Sequence, residues 1–322
     1  MSLQSTRASL SPSTGPANTT LRELQAPAPP AARARFAQLD GMFPFADRFV
    51  TLDGCQVHYV DEGTGPPLLM LHGNPTWSFL YRHLIRELSS RFRCIALDYP
   101  GFGLSTARPD YDFLPASHAS IVAGFIRTLD LHDAFLMVQD WGGPIGFHAA
   151  GSMPERFRGL VVCNTWAWPV DDDPHFSRFS QLMGGWFGGF VIRRFNAFVN
   201  LLIPAGVKRR RIEHNVMDCY RAPFPTPASR VPTHVFPREI LGSLFLSDAG
   251  QRLQKLAHLP ALILWGDLDF AFRAQERERL ERLLPNYETV ILHGAGHFVQ
   301  EDAPQEIADN VAALLVRLGK RR

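Results

Sequence analysis

Hydrophobic and polar positions alternate along this chain in two different rhythms. Residues 49–52 and 56–60 flank Asp53-Gly54, which reads as a hairpin across a two-residue turn. Residues 67–72, 94–97, 135–138, 160–164 and 261–265 are short and almost wholly apolar, the pattern of strands covered on both faces. A last strand is predicted at 288–292. Between them lie stretches of helical character at 77–89 and 117–129, and a closing helix at 304–318. Strands and helices in this alternation predict an α/β domain with a mostly parallel central sheet and helices on both faces. The rhythm stops after Asn164. Residues 165–242 contain no clear strand but many aromatics, among them Trp166, Trp168, Phe176, Phe179, Trp186, Phe187, Phe190, Phe195, Phe198 and Phe224. They predict a helical cap inserted after the sixth strand, with core segments 36–164 and 243–322. Most of these rings would form the cap's own interior, and several would face a dry pocket of the kind small apolar ligands require.

The stretch Val138-Gln139-Asp140-Trp141-Gly142-Gly143-Pro144 follows one of the buried strands. Small residues directly after a polar one, before a helix, make a sharp strand-to-helix turn that pushes one side chain out over the sheet end. Asp140 stands where such turns usually carry serine. A carboxylate needs no base to activate it, and it can attack saturated carbon and leave an ester behind. In this architecture the acid and the histidine follow the nucleophile in the chain, each on a loop after a strand. His297 lies in Gly294-Ala295-Gly296-His297, past the last strand, and is the candidate base. Gly266-Asp267-Leu268-Asp269 follows the strand ending at Trp265, and its spacing favours Asp269 over Asp267 as the acid. Cys163-Asn164-Thr165-Trp166, where the acid would sit one strand earlier, holds no carboxylate. His72, at the end of its strand, reads as a brace for the next loop.

Asn74 and Trp141 occupy the positions whose backbone N–H groups would hold an ester oxyanion. Their side chains, an amide and an indole, are also N–H donors. Two such donors near a carboxylate nucleophile under an apolar cap would bind a small anion, such as a halide leaving an alkyl carbon. The plainer reading is that Trp141 packs under the cap and Asn74 caps the following helix.

Composition adds exclusions. Residues 1–35 are dominated by Ser, Thr, Pro and Ala and read as a flexible tail without the apolar segment of a secretory signal. No apolar run reaches the roughly 18 residues of a membrane span, so no membrane partner is expected. A net charge of +2 gives no reason for nucleic acid, and Arg209-Arg210-Arg211 and Lys320-Arg321-Arg322 read as solvated surface. Cys55, Cys94, Cys163 and Cys219 lack metal-ligand spacing, and free thiols fit the reducing cytoplasm.

His72-Gly73-Asn74-Pro75-Thr76-Trp77-Ser78-Phe79-Leu80-Tyr81-Arg82, together with Gln139-Asp140-Trp141-Gly142-Gly143-Pro144, resembles the haloalkane dehalogenases of the α/β-hydrolase fold. Tyr220-Arg221-Ala222-Pro223-Phe224-Pro225 and Phe236-Pro237-Arg238-Glu239-Ile240 in the cap are similar to theirs too. An Asn–Trp halide pair with the acid after the seventh strand resembles their third subfamily. The resemblance implies hydrolysis of a small apolar halogenated substrate to alcohol, halide and proton, with neither cofactor nor metal. It extends from about residue 35 to the last helix. Alternatives are an epoxide hydrolase, which would want two cap tyrosines where only Tyr220 is present, a fluoroacetate-type dehalogenase, which would want arginines near the elbow, and a non-catalytic binding protein of the same fold. An aromatic-rich cap also leaves room for self-association into a homo-oligomer.

Overall fold

A computed structural model describes residues 41–319; the tail at 1–35 and the basic triplet at 320–322 lie outside them. Among the described residues one sheet of eight strands has the order β1-β2-β4-β3-β5-β6-β7-β8. The strands are β1 (Arg48–Leu52), β2 (Cys55–Glu62), β3 (Pro67–Leu71), β4 (Arg93–Leu97), β5 (Ala134–Gln139), β6 (Phe157–Cys163), β7 (Ala261–Gly266) and β8 (Tyr287–Leu292). Strands β1 and β2 pair antiparallel, as do β2 and β4, and all other neighbours are parallel. The β1–β2 turn places Asp53 and Gly54 at φ 47 and 72, the left-handed pair that matches the twist of a hairpin.

The twelve α-helices among the described residues are α1 (Arg82–Leu88), α2 (Pro115–Thr128), α3 (Gly142–Ala150), α4 (Pro174–Gly184), α5 (Trp186–Phe195), α6 (Ile203–Gly206), α7 (His214–Arg221), α8 (Val231–Arg238), α9 (Leu244–Lys255), α10 (Ala274–Leu283), α11 (Val299–Asp302) and α12 (Pro304–Gly319). The predicted helix at 77–89 is split, with a tighter turn over Ser78–Tyr81 ahead of α1. Helices α4 to α8 lie between β6 and β7 in the chain, in the segment read as the cap. Strand β5 is buried at every position, and its continuous apolar run follows from having helices on both faces.

Topology decides where a ligand can sit. From β3 the chain steps outward to β4, then crosses back over β3 to β5 and proceeds to β8. The order reverses between β3 and β5, and the crevice beyond their carboxyl ends is where open α/β sheets bind ligands. The loops leaving those two strands carry Asn74 and Asp140.

Beside this crevice a buried polar hub fixes the loop after β4. Asp98 accepts His58 Nδ1–H at 2.8 Å, the Ser78 N–H at 2.7 Å and the Leu104 N–H at 2.9 Å. Burial alone would lower the His58 pKa, but the Asp98 and Asp47 carboxylates outweigh it and raise it to about 9. His58 therefore favours the folded state fully below pH 6.5, and this contribution disappears as pH rises through about 9. Urea midpoints measured across that window should fall accordingly; a flat profile would contradict a charged His58. Asp98→Ala, which strands the buried imidazolium, should cost about 3–5 kcal/mol.

Candidate active site

The turn after β5 holds Asp140 at φ 51, a conformation that is costly for a non-glycine residue and is kept only where the surroundings enforce it. Three contacts do so. The Asp140 N–H donates to the Asn164 carbonyl at 3.0 Å, the Asp140 carbonyl accepts the Gly143 N–H at 3.0 Å, and it also accepts the Thr165 hydroxyl. Glycine is needed next door because a Cβ at Gly142 would lie 2.2 Å from the Leu71 carbonyl oxygen. On the facing loop, a Cβ at Gly73 would meet Asp140 Oδ1 at 2.3 Å. The sharp turn thus brings the carboxylate against the loop after β3.

There Asp140 Oδ1 accepts the Asn74 backbone N–H at 2.7 Å, and the Trp141 N–H also donates to this carboxylate. These are the two oxyanion-type donors expected from the sequence. His72 braces their loop: Nδ1 donates to the Gly73 carbonyl at 2.9 Å and Nε2 accepts the Tyr99 N–H at 3.2 Å. Burial lowers the His72 pKa to about 4, which keeps the ring neutral in this role.

On the other side His297 Nε2 stands 3.6 Å from Asp140 Oδ2, while Nδ1 donates to Asp269 Oδ2 at 3.0 Å. Asp269 is itself held by the Ala271 N–H at 2.7 Å and by Asn164 Nδ2 at 2.8 Å. Asp267 faces away and binds the exposed His293 and the Gly294 N–H. Asn164 occupies the position where an earlier acid would stand, and serves instead as a clamp between the Asp140 backbone and the Asp269 side chain. Gln139 was not singled out from the sequence. Its Nε2 donates to His297 Nε2 at 3.0 Å and to the His297 carbonyl at 3.2 Å, which marks Nε2 as the acceptor nitrogen and places the ring proton on Nδ1. No sequence signal beyond its position before Asp140 pointed to this.

Burial raises the Asp140 pKa above the ordinary carboxylate value, against the opposing pull of His297 and the two N–H donors. For His297 burial acts downward, but Asp269 and Asp140 together raise it. Part of that upward push comes from the Asp140 charge itself.

A cavity of about 100 Å³ opens onto these groups. Trp166, Phe176, Phe179, Phe198, Leu202 and Phe272 line it, giving an apolar wall to which the segment after β6, the cap and the loop after β7 all contribute. The Trp141 indole packs edge-on against Trp166 at 4.8 Å, and its N–H has no hydrogen-bond partner among the described residues. Asn74 differs from expectation in one respect. Its amide already gives one N–H to the Thr233 carbonyl of the cap at 3.1 Å, which ties loop to cap and leaves one N–H of the two for the cavity. The lone cap tyrosine is not at the site: Tyr220 is fully buried and its hydroxyl donates to Glu301 Oε1 at 2.5 Å. Of the basic run, Arg209 pairs with Glu306 and Arg210 with Glu301. All three arginines of the run are exposed, as a surface run would be.

A mostly parallel sheet with this sharp turn after β5, and with Asp140, Asp269 and His297 gathered beyond its strand ends, defines an α/β hydrolase. A family model described as the alpha/beta hydrolase fold matches residues 66–304. Haloalkane dehalogenase 2 of Mycobacterium tuberculosis is 42% identical over 281 residues, which cover 86% of this chain and 96% of that protein. Cis-3-alkyl-4-alkyloxetan-2-one decarboxylase of Shewanella oneidensis is 33% identical over 283 residues, 85% of this chain and 89% of the relative. Among solved structures, haloalkane dehalogenase DbeA from Bradyrhizobium elkani superposes with a TM-score of 0.79 at 28% identity, covering 86% of this chain and all of that one. The chain belongs to the haloalkane dehalogenase family of α/β hydrolases.

Proposed function

We propose that this protein hydrolyses haloalkanes to alcohol and halide through an ester on Asp140. Asp140 attacks the halogen-bearing carbon from behind, and the halide departs with the bonding electron pair toward the Trp141 indole N–H and the remaining Asn74 amide N–H. His297 Nε2 then takes a proton from water as the oxygen adds to the ester carbonyl, and Asp269 steadies the imidazolium. The backbone N–H groups of Asn74 and Trp141 hold the resulting oxyanion. Its collapse, with the proton returned to the leaving alkoxide, frees the alcohol and regenerates Asp140. No metal or cofactor is required by any step. The observation that carries this reading is the unpartnered Trp141 N–H beside a carboxylate nucleophile in a cavity walled by aromatic rings.

A second reading rests on the relatives named as oxetan-2-one decarboxylases. Attack of Asp140 on the ring carbon bearing oxygen in a four-membered lactone would expel a carboxylate toward the same donors. Loss of carbon dioxide from that adduct would expel Asp140 in turn and leave an alkene. The epoxide hydrolase alternative loses support, since Tyr220 is committed to Glu301. A panel of bromo- and iodoalkanes, a cis-3,4-dialkyl oxetan-2-one and a terminal epoxide separates these readings. Halide release with alcohol formation supports the first, alkene and carbon dioxide from the lactone the second. Diol from the epoxide, or no turnover of any of the three, would overturn both.

A further inference from the structure

The cap's outer face carries side chains that no step of the chemistry uses. Helix α5 buries Gly188, Gly189 and Ile192 and turns Trp186, Phe187 and Phe190 to solvent, with Trp186 85% exposed. Its orientation is locked by close approach. A Cβ on Gly188 would lie 2.2 Å from the Met183 carbonyl oxygen, and one on Gly189 2.6 Å from His234 Cε1. The exposed rings form a connected surface: Trp186 stacks on Phe190 at 6.3 Å, and Phe190 meets Phe195 edge-on at 6.0 Å. Monomeric proteins seldom leave so many large rings in contact with water without a use for them.

Charge narrows what covers this surface. Residues 174–201 contain three Arg and not one Asp or Glu. Arg193 and Arg194 stand exposed on α5 beside the rings, with no carboxylate partner among the described residues, and the Arg194 guanidinium lies 5.4 Å from the Phe195 ring centre. Protruding aromatics beside unneutralised arginines on one helix face match the interface between lipid acyl chains and anionic headgroups. A second copy of the chain fits less well. A two-fold contact through this face would set the arginines of one copy against those of the other.

We propose that the outer face of the cap docks on an anionic lipid surface, with Trp186, Phe187 and Phe190 seated at headgroup depth and Arg193 and Arg194 paired with phosphate. This departs from the sequence expectation of no membrane partner, which was drawn from the lack of a spanning segment. Among the described residues no helix is long and apolar enough to cross a bilayer, and docking by one face requires none.

The test is co-sedimentation of the full chain with vesicles of phosphatidylcholine alone or mixed equally with phosphatidylglycerol. Binding is expected to the mixed vesicles, weakly or not at all to the neutral ones, and to decline as salt rises. The double variant Arg193→Ser/Arg194→Ser should partition about 10- to 30-fold less, and Trp186→Ser/Phe190→Ser should lose binding at low salt as well as high. Both should keep the parent's melting temperature, because the replaced side chains are exposed. Equal sedimentation with neutral and anionic vesicles, or none with either, would overturn the proposal. So would a parent that forms oligomers dissolved by the aromatic double variant while ignoring vesicles. The parent's lipid preference is read without any variant, so a variant that misfolds leaves the test standing.

Discussion

His297→Gln mixed with excess bromoalkane should release about one bromide per active site and then stop. The first step needs only the Asp140 carboxylate, the in-line carbon and the anion donors, all of which the variant keeps. The second needs a base on water, and the imidazole 3.6 Å from Asp140 Oδ2 is the group placed to supply it. A positioned general base contributes about 10²–10⁴ in rate, so turnover should fall at least that far while the burst remains. Intact mass should show the protein heavier by one alkyl group, and peptide mapping should place it on Asp140. Asp140→Ala should show no burst and no adduct. Continued turnover by His297→Gln would remove His297 from its role; absence of a burst in that variant would remove Asp140 from its own. Gln139 bears on the same step. Its amide occupies the Nε2 lone pair of His297 at 3.0 Å, so the hydrolytic water must displace it or share that nitrogen.

Much of this site was legible in the sequence because each element of it has a local cause. The elbow is announced by Asp140 before Gly142-Gly143, and Gly142 is required by the Leu71 carbonyl, a backbone atom present whatever the side chains are. Asp269 was favoured over Asp267 by its spacing from Gly266, and it is Asp269 that bonds His297 Nδ1. Gln139 was not legible, since its amide meets His297 only through a contact between residues 158 positions apart in the chain. The cap aromatics show the same limit more sharply. Composition announced them without revealing their fates, which diverge threefold. Phe176, Phe179 and Phe198 line the cavity, Phe224 packs into the core, and Trp186, Phe187 and Phe190 face solvent. Helical periodicity alone could not assign these faces, because α5 is a short helix whose inner side is two glycines and a single Ile192. A glycine face carries no hydrophobic signal, yet here it is the buried one. The amide of Asn74 is a further case: its residue type and position pointed to the cavity, but the Thr233 carbonyl that takes one of its N–H groups comes from 159 residues away.

Trp141→Phe removes one hydrogen-bond donor while keeping a ring to pack against Trp166 and against Phe236, whose centre lies 5.0 Å from that of Trp141. If the indole N–H stabilises the departing halide, kcat/KM for the alkylation step should fall by about 10²–10³, the range for losing one preorganised donor at a developing anion. The loss should be larger for chloro- than for iodoalkanes. Chloride is the smaller and harder ion, concentrates its charge more, and gains more from a directed N–H. Hydrolysis of the ester should be nearly unchanged, because the donor used there is the backbone N–H of residue 141, which the substitution retains. Rapid-quench measurement with a chain-matched chloride, bromide and iodide series resolves the two steps. A uniform loss across the three halides would assign Trp141 to shaping the cavity, and a loss confined to hydrolysis would place its contribution on the oxyanion.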